Sequence, residues 1–113
     1  MKKIIFTLCL LAMTGCSSIQ DMRNRNPNQT FVSNKSVKNI AECILFEWQE
    51  NTPRYGSVFI QPYSDGYTVY SESQLEVADI INENNRAKIN FYHQGGLFDY
   101  RIDNRVKKIK LCI

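Results

Sequence analysis

The sequence has little of what small enzymes use for catalysis. Among 113 residues there is one histidine, His93, so any acid–base pair that uses histidine has to use this residue. The motifs HExxH, GxSxG and CxxC are absent, and so is a glycine-rich phosphate loop. His93 has the alternation parity of Ile89 and Phe91, which favours a partly buried structural histidine. We therefore expect a protein that is not an enzyme and that holds no cofactor and no metal.

The apolar run near the N-terminus is too short for a membrane-spanning helix. It extends from Ile4 to Met13, ten residues, about half of what a spanning helix needs. Lys2 and Lys3 precede it. A short positive segment followed by an apolar segment of this length is typical of a secretory signal peptide.

The apolar run leads into Met13-Thr14-Gly15-Cys16, which resembles the bacterial lipobox. The usual form of that motif is Leu, a small residue, Gly or Ala, then Cys; Met13 departs from it. In bacterial lipoproteins the Cys thiol receives a diacylglycerol, a peptidase cuts before the Cys, and the new amino group is commonly acylated, for example with palmitate. The resemblance implies that 1–15 is a signal peptide and that lipidated Cys16 holds the protein at a membrane. An ordinary cleaved signal and an N-terminal membrane anchor are the alternatives.

The residue after the cysteine indicates a destination. In enterobacterial lipoproteins an Asp at the second mature position favours retention in the inner membrane. Here that position is Ser17. For a Gram-negative host, the resemblance therefore implies an outer-membrane lipoprotein that faces the periplasm.

The mature chain is small and nearly neutral. Without residues 1–15 it has 98 residues, enough for one small domain. Loss of Lys2 and Lys3 leaves 12 basic against 11 acidic residues, a net charge near +1. This balance gives no support to a nucleic-acid partner.

Two cysteines remain after lipidation, Cys43 and Cys112. An even pair in a small exported domain predicts one disulfide. Two free buried thiols are the alternative.

The residues after Cys16 are polar. Segment 16–34 has four Asn, two Gln and one Pro, and such a composition buries too little apolar surface to fold alone. We expect the lipidated cysteine and a flexible tether over 16–34, followed by a single domain over 35–113.

The first element of that domain is an amphipathic helix from about Ser36 to Glu50. Asn34 or Ser36 can cap it, and Pro53 follows its end. Its apolar residues recur at helical spacing on one face: Val37, Ile40, Ala41, Ile44, Leu45 and Trp48.

A β-hairpin is predicted next. Strands at 57–62 and 67–71 flank Asp65-Gly66, a strong two-residue turn signal. With that turn, Gln61 pairs with Tyr70. Val58, Ile60, Tyr67 and Val69 then face the core, whereas Phe59, Tyr63 and Tyr70 face the other side.

The last third of the sequence gives less distinct secondary-structure signals. Residues 73–83 fit a helix or a strand, and we favour a strand. Residues 87–93 alternate as a strand, with Tyr92 on the side opposite Phe91. Residues 103–113 fit a helix capped by Asp103 and, nearly as well, a strand.

Together these patterns predict an α+β domain: one helix on a three- or four-stranded antiparallel sheet, with a C-terminal helix or strand and one disulfide. Exposed aromatic residues mark interfaces, so Phe59, Tyr63, Tyr70 and Tyr92 are the candidate binding residues for a protein or an envelope component. One alternative is an inhibitor or immunity protein against a cell-wall hydrolase that uses the loop 93–97. Another is an accessory subunit of a secretion or transport assembly.

Overall fold

The computed structural model describes residues 17–94 and 99–113. The elements in chain order are α1 (Ser17–Arg23), β1 (Gln29–Ser33), α2 (Val37–Gln49), α3 (Thr52–Tyr55), β2 (Val58–Tyr63), β3 (Gly66–Ser71), β4 (Glu76–Glu83), β5 (Arg86–His93) and α4 (Tyr100–Cys112), with a 3₁₀ turn at Glu72–Gln74 before β4.

The predicted α+β fold is confirmed. All strand pairs are antiparallel, and the order across the sheet is β1-β5-β4-β3-β2. The sheet has five strands where three or four were expected. The additional strand is β1, which pairs with β5 along Gln29–Ser33.

Most of the segment predicted as a flexible tether has regular structure. Residues 17–23 form α1 and residues 29–33 form β1, so the prediction for 16–34 is wrong for these residues. The reason is tertiary. Met22 is 3% exposed against the sheet, and the backbone of β1 hydrogen-bonds to β5. A polar segment can be ordered when the rest of the domain supplies apolar surface and backbone hydrogen-bond partners to it.

The predicted amphipathic helix is α2. Ser36 caps it by accepting a hydrogen bond from the backbone N–H of Asn39, at 3.1 Å. Its apolar face packs on one side of the sheet together with α4. Five residues of this face are buried: Val37, Ile40, Ala41, Ile44 and Trp48.

The hairpin has the predicted faces but a register shifted by two residues. Phe59 pairs with Tyr70 and Gln61 with Thr68, and Ser64 adopts the positive φ of the turn. Gly66 instead begins β3, where an added Cβ would lie 1.9 Å from the Ile80 carbonyl oxygen. The glycine is therefore used for close packing rather than for the turn. Because the shift is even, no side chain changes face.

The two ambiguous segments are settled by the structure. Residues 76–83 form strand β4, as favoured, and 100–112 form helix α4. Asp99 caps α4 by accepting from the backbone N–H groups of Arg101 and Ile102, so Asp103 is not the cap that the sequence indicated. Asp103 lies one turn further along the helix.

The predicted disulfide between Cys43 and Cys112 is present and joins α2 to α4, with a Cα–Cα distance of 5.7 Å. Trp48, near the end of α2, donates from Nε1 to the carbonyl of Arg105, in the middle of α4, at 3.1 Å. Because Cys43, earlier in α2, is bonded to Cys112 at the end of α4, the two helices run antiparallel. Trp48 is fully buried, in agreement with its predicted core position.

A buried ion cluster attaches α4 to the sheet. Glu76 and Arg105 are 1% and 0% exposed, and Arg105 Nε donates to Glu76 Oε1 at 2.8 Å. Arg101 Nε donates to the other carboxylate oxygen at 2.6 Å. Burial lowers the pKa of Arg105, and the hydrogen bond that its guanidinium donates to Glu76 offsets part of this effect. Two cations on one carboxylate attach α4 to Glu76, the first residue of β4.

Candidate binding face

The predicted binding residues lie on the side of the sheet that faces away from α2 and α4. We call this side the outer face. Strand register joins Phe59, Tyr70, Val77 and Tyr92 into one row across β2, β3, β4 and β5. Tyr63 lies on the same side, two alternations along β2 from Phe59. The structure thus brings the four predicted aromatic residues to one face.

Helix α1 covers part of this face. Met22 forms a small apolar cluster with Val77 and Tyr92, and Ile19 and Tyr70 pack around it. Tyr92 is 5% exposed as a result. The expectation that Tyr92 is exposed is therefore wrong, because the segment taken for a tether lies on top of it.

Arg23 fastens α1 to the sheet. Its Nε and Nη2 donate to the two carboxylate oxygens of Asp79 at 2.9 and 3.0 Å. Nη2 also donates to Thr68 Oγ1 at 2.7 Å, and Thr68 Oγ1 donates to Asp79 Oδ1 at 2.6 Å. The guanidinium carbon lies 3.6 Å from the centre of the Tyr63 ring, a cation–π contact. Four side chains on four elements thus meet at one buried ion pair.

The environment of this cluster shifts two pKa values. Burial raises the pKa of Tyr92 above 10.0, and the negative charge of Asp79 raises it further. For Arg23, burial alone lowers the pKa, but the hydrogen bond and the charge of Asp79 outweigh burial and the net shift is upward. Both shifts favour a protonated phenol and a charged guanidinium under α1.

One part of the outer face that α1 leaves uncovered lies on the hairpin β2–β3; another lies on β1, where Val32 is exposed. We call Phe59, Tyr63 and Tyr70 the aromatic patch. Phe59 is 45% exposed and stacks on Tyr70 with ring centres 5.4 Å apart. Tyr63 and Tyr70 are half-buried. β2 is an edge strand, and Pro62, which lacks an N–H, lies in it as predicted.

His93 and Lys108 lie outside the aromatic patch, and each contacts neighbouring side chains. His93 is half-buried beside Phe91, with ring centres 5.7 Å apart. Lys108 of α4 donates to the carboxylates of Glu47 and Glu50 at 3.0 and 2.9 Å. Residues 95–97 of the proposed inhibitory loop, and Cys16, lie outside the described residues.

The sequence patterns did not predict the cluster of Arg23, Thr68 and Asp79. Its signal was present in β4, where Asp79 alternates with Val77 and Ile81 on the outer face. Apolar residues on both sides of an acid indicate a covered face, and a covered acid requires a cation. Arg23 could not be predicted as that cation, because it lies in a segment with no helical periodicity.

Within 17–94 and 99–113, no group of three His, Cys, Asp or Glu side chains is arranged to hold a metal ion. Over the same ranges, none of the helices has the length and apolarity needed to cross a membrane. Comparison with known proteins gives no match: no family model, no curated protein and no solved structure is significantly similar to this chain.

Proposed function

We propose that this protein is a non-enzymatic cell-envelope lipoprotein that binds another envelope protein through the aromatic patch of Phe59, Tyr63 and Tyr70. The observation that carries the proposal is the exposure of Phe59. This side chain is 45% exposed on an edge strand, although its ring stacks on Tyr70. Aromatic residues are enriched at the centres of protein interfaces, where they supply large contact area at a low cost in conformational entropy.

The patch is also held in one geometry before any partner binds. The ring of Tyr63 lies against Arg23, and Tyr70 packs on the cluster of Met22, Val77 and Tyr92. A preorganised surface loses less side-chain entropy on association. Membrane attachment through Cys16 is the second part of the proposal. It is supported by the order and spacing of Lys2, Lys3, the apolar run and Met13-Thr14-Gly15-Cys16.

Site-specific photocrosslinking in a Gram-negative host tests the binding face. A photoreactive phenylalanine analogue replaces Phe59, and in a matched control it replaces Phe46, which is 63% exposed on α2. We expect a discrete crosslinked protein from position 59 and not from position 46. The same adducts from both positions, or none from position 59, would contradict the proposal.

Substitutions separate binding from folding. Phe59→Ala should leave the unfolding midpoint nearly unchanged and weaken capture of the crosslinked partner, typically by 2 kcal/mol or more for an interface residue of this kind, roughly 30-fold. Tyr70 is less suitable, since it also packs on the cluster under α1. Val69→Ala, on the opposite face and fully buried, should lower stability by about 2 kcal/mol and leave binding unchanged.

A further inference from the structure

Helix α1 holds Ser17, the first described residue, close to the domain. The helix begins at Ser17, directly after Cys16, and its last residues are held by the sheet. Six helical rises separate Ser17 from Arg23, about 9 Å along the axis of α1. An acylated Cys16 would therefore hold the domain at the bilayer without a long tether.

Contacts of Met22 show which end of the domain lies beside α1. The side chain of Gln94 lies 3.8 Å from Met22 Sδ and donates to the Gln74 carbonyl at 2.9 Å. The backbone N–H of Gln94 donates to the Leu75 carbonyl at 3.0 Å. Glu76, the next residue, is the carboxylate that binds the start of α4. The end of the sheet at Leu75, the C-terminus of β5 and the start of α4 are thus close together.

We call this region, defined by Arg54, Leu75, Gln94 and Tyr100, the proximal end. Arg54 belongs to it because it lines a shallow cleft together with Tyr55, Tyr100 and Arg101. Among the large apolar side chains of the described residues, Tyr100 has the highest exposure, 84%, and it lies here; Leu75, also here, is 37% exposed.

The exposed charges of the proximal end cancel. Arg25 and Arg54 are exposed, and so are Asp21 and Glu72. A contact made here is therefore apolar rather than electrostatic. Tyrosine suits the headgroup level of a bilayer, because its ring is apolar and its hydroxyl is polar.

We propose that the proximal end rests on the bilayer, with Tyr100 and Leu75 at the headgroup boundary. This inference depends on the proposed lipidation of Cys16. It also restricts the partner. Phe59 lies in the same row as Val77 and Tyr92, which contact Met22, so we expect the partner of the aromatic patch to be a protein whose surface reaches the membrane.

The far end of α4 provides the control. Leu111 is 60% exposed and lies eleven residues along the helix from Tyr100, about 16 Å at the helical rise per residue. The antiparallel packing of α2 and α4, with Trp48 beside Arg105 and Cys43 bonded to Cys112, directs Leu111 away from the proximal end.

Depth-dependent quenching tests the proposal. A fluorescent amino acid is introduced by amber suppression in place of Tyr100, or of Leu111, in the full precursor, and the processed protein is extracted from membranes. Its intact mass is checked for acyl chains. The protein is then placed in phosphatidylcholine vesicles with or without a headgroup-proximal spin-labelled lipid. We expect quenching at position 100 to exceed that at position 111 several-fold and to be the same at low and high salt.

The outcomes distinguish the two proposals. Acylated protein with equal quenching at both positions overturns the membrane orientation and leaves the lipoprotein proposal intact. A mass without acyl chains overturns both. As a second variant, Arg23→Ala in the Tyr100-labelled protein should release α1 and lower quenching towards the level at position 111. Quenching at position 100 unchanged by Arg23→Ala would mean that α1 does not set the orientation, which also contradicts the proposal.

Discussion

Arg23 and Asp79, 56 positions apart in the chain, form a two-pronged ion pair, with Nε 2.9 Å from one carboxylate oxygen and Nη2 3.0 Å from the other. Their side chains are 13% and 3% exposed. Since Arg23 is the last residue of α1 and Asp79 lies in the central strand β4, the pair joins α1 to the middle of the sheet.

Removal of Arg23 should therefore destabilise the domain. Arg23→Ala leaves the Asp79 carboxylate buried without its cation, which typically costs about 3 kcal/mol or more. The free energy of unfolding, measured by urea denaturation of the mature chain, should fall by that amount. Arg25→Ala is the matched control: Arg25 is exposed, and its removal should change stability by about 0.5 kcal/mol or less. Equal, small effects of the two substitutions would show that α1 is not held by this pair.

The buried phenol of Tyr92 should make stability fall at alkaline pH. Burial and Asp79 raise its pKa above 10.0 in the folded protein, so the folded state holds the phenol proton more tightly than the unfolded chain. This stabilisation is complete below pH 10 and is lost as pH rises through the folded pKa. Urea midpoints measured between about pH 8 and pH 11 should fall less steeply for Tyr92→Phe than for the unsubstituted chain. Parallel slopes would contradict the assignment.

The disulfide should contribute by limiting the unfolded chain. Cys43 and Cys112 close a loop with a sequence separation of 69, for which the loss is typically about 2–4 kcal/mol. Cys112→Ser and Cys43→Ser should lower the free energy of unfolding equally, and the double variant should lose no more than either single one. Before reduction, neither thiol should react with an alkylating agent. Alkylation of both without reductant would contradict the bond.

Local patterns predicted the elements whose stability is local. The apolar face and the Ser36 cap of α2 are visible in sequence, and so is the alternation that divides β2 and β3 into two faces. The hairpin register was missed because Asp65-Gly66 reads as a turn, whereas Gly66 is needed against the Ile80 carbonyl. That requirement arises from a strand 14 positions away and leaves no local signal.

The position of α1 and the burial of Tyr92 depend on tertiary contacts, which the sequence patterns did not predict. Residues 17–28 are mostly polar, and contacts of Met22 and Arg23 hold them against the sheet. These contacts exist only after Val77, Tyr92 and Asp79 have been brought together by the pairing of β4 and β5. The strand alternation correctly predicted that Phe59, Tyr63, Tyr70 and Tyr92 share one face. It did not predict that α1 buries Tyr92, because the composition of that segment indicated disorder.

Attachment of the chain to a membrane through Cys16 is the central claim, and the intact mass of the protein extracted from bacterial membranes tests it most directly. The account predicts a chain that begins at residue 16 and carries a diacylglycerol thioether, commonly with a further acyl chain on its amino group. Cys16→Ser should give only unprocessed precursor without lipid. A mature protein that begins elsewhere, or a Cys16→Ser variant with the same acylated mass, would contradict the account.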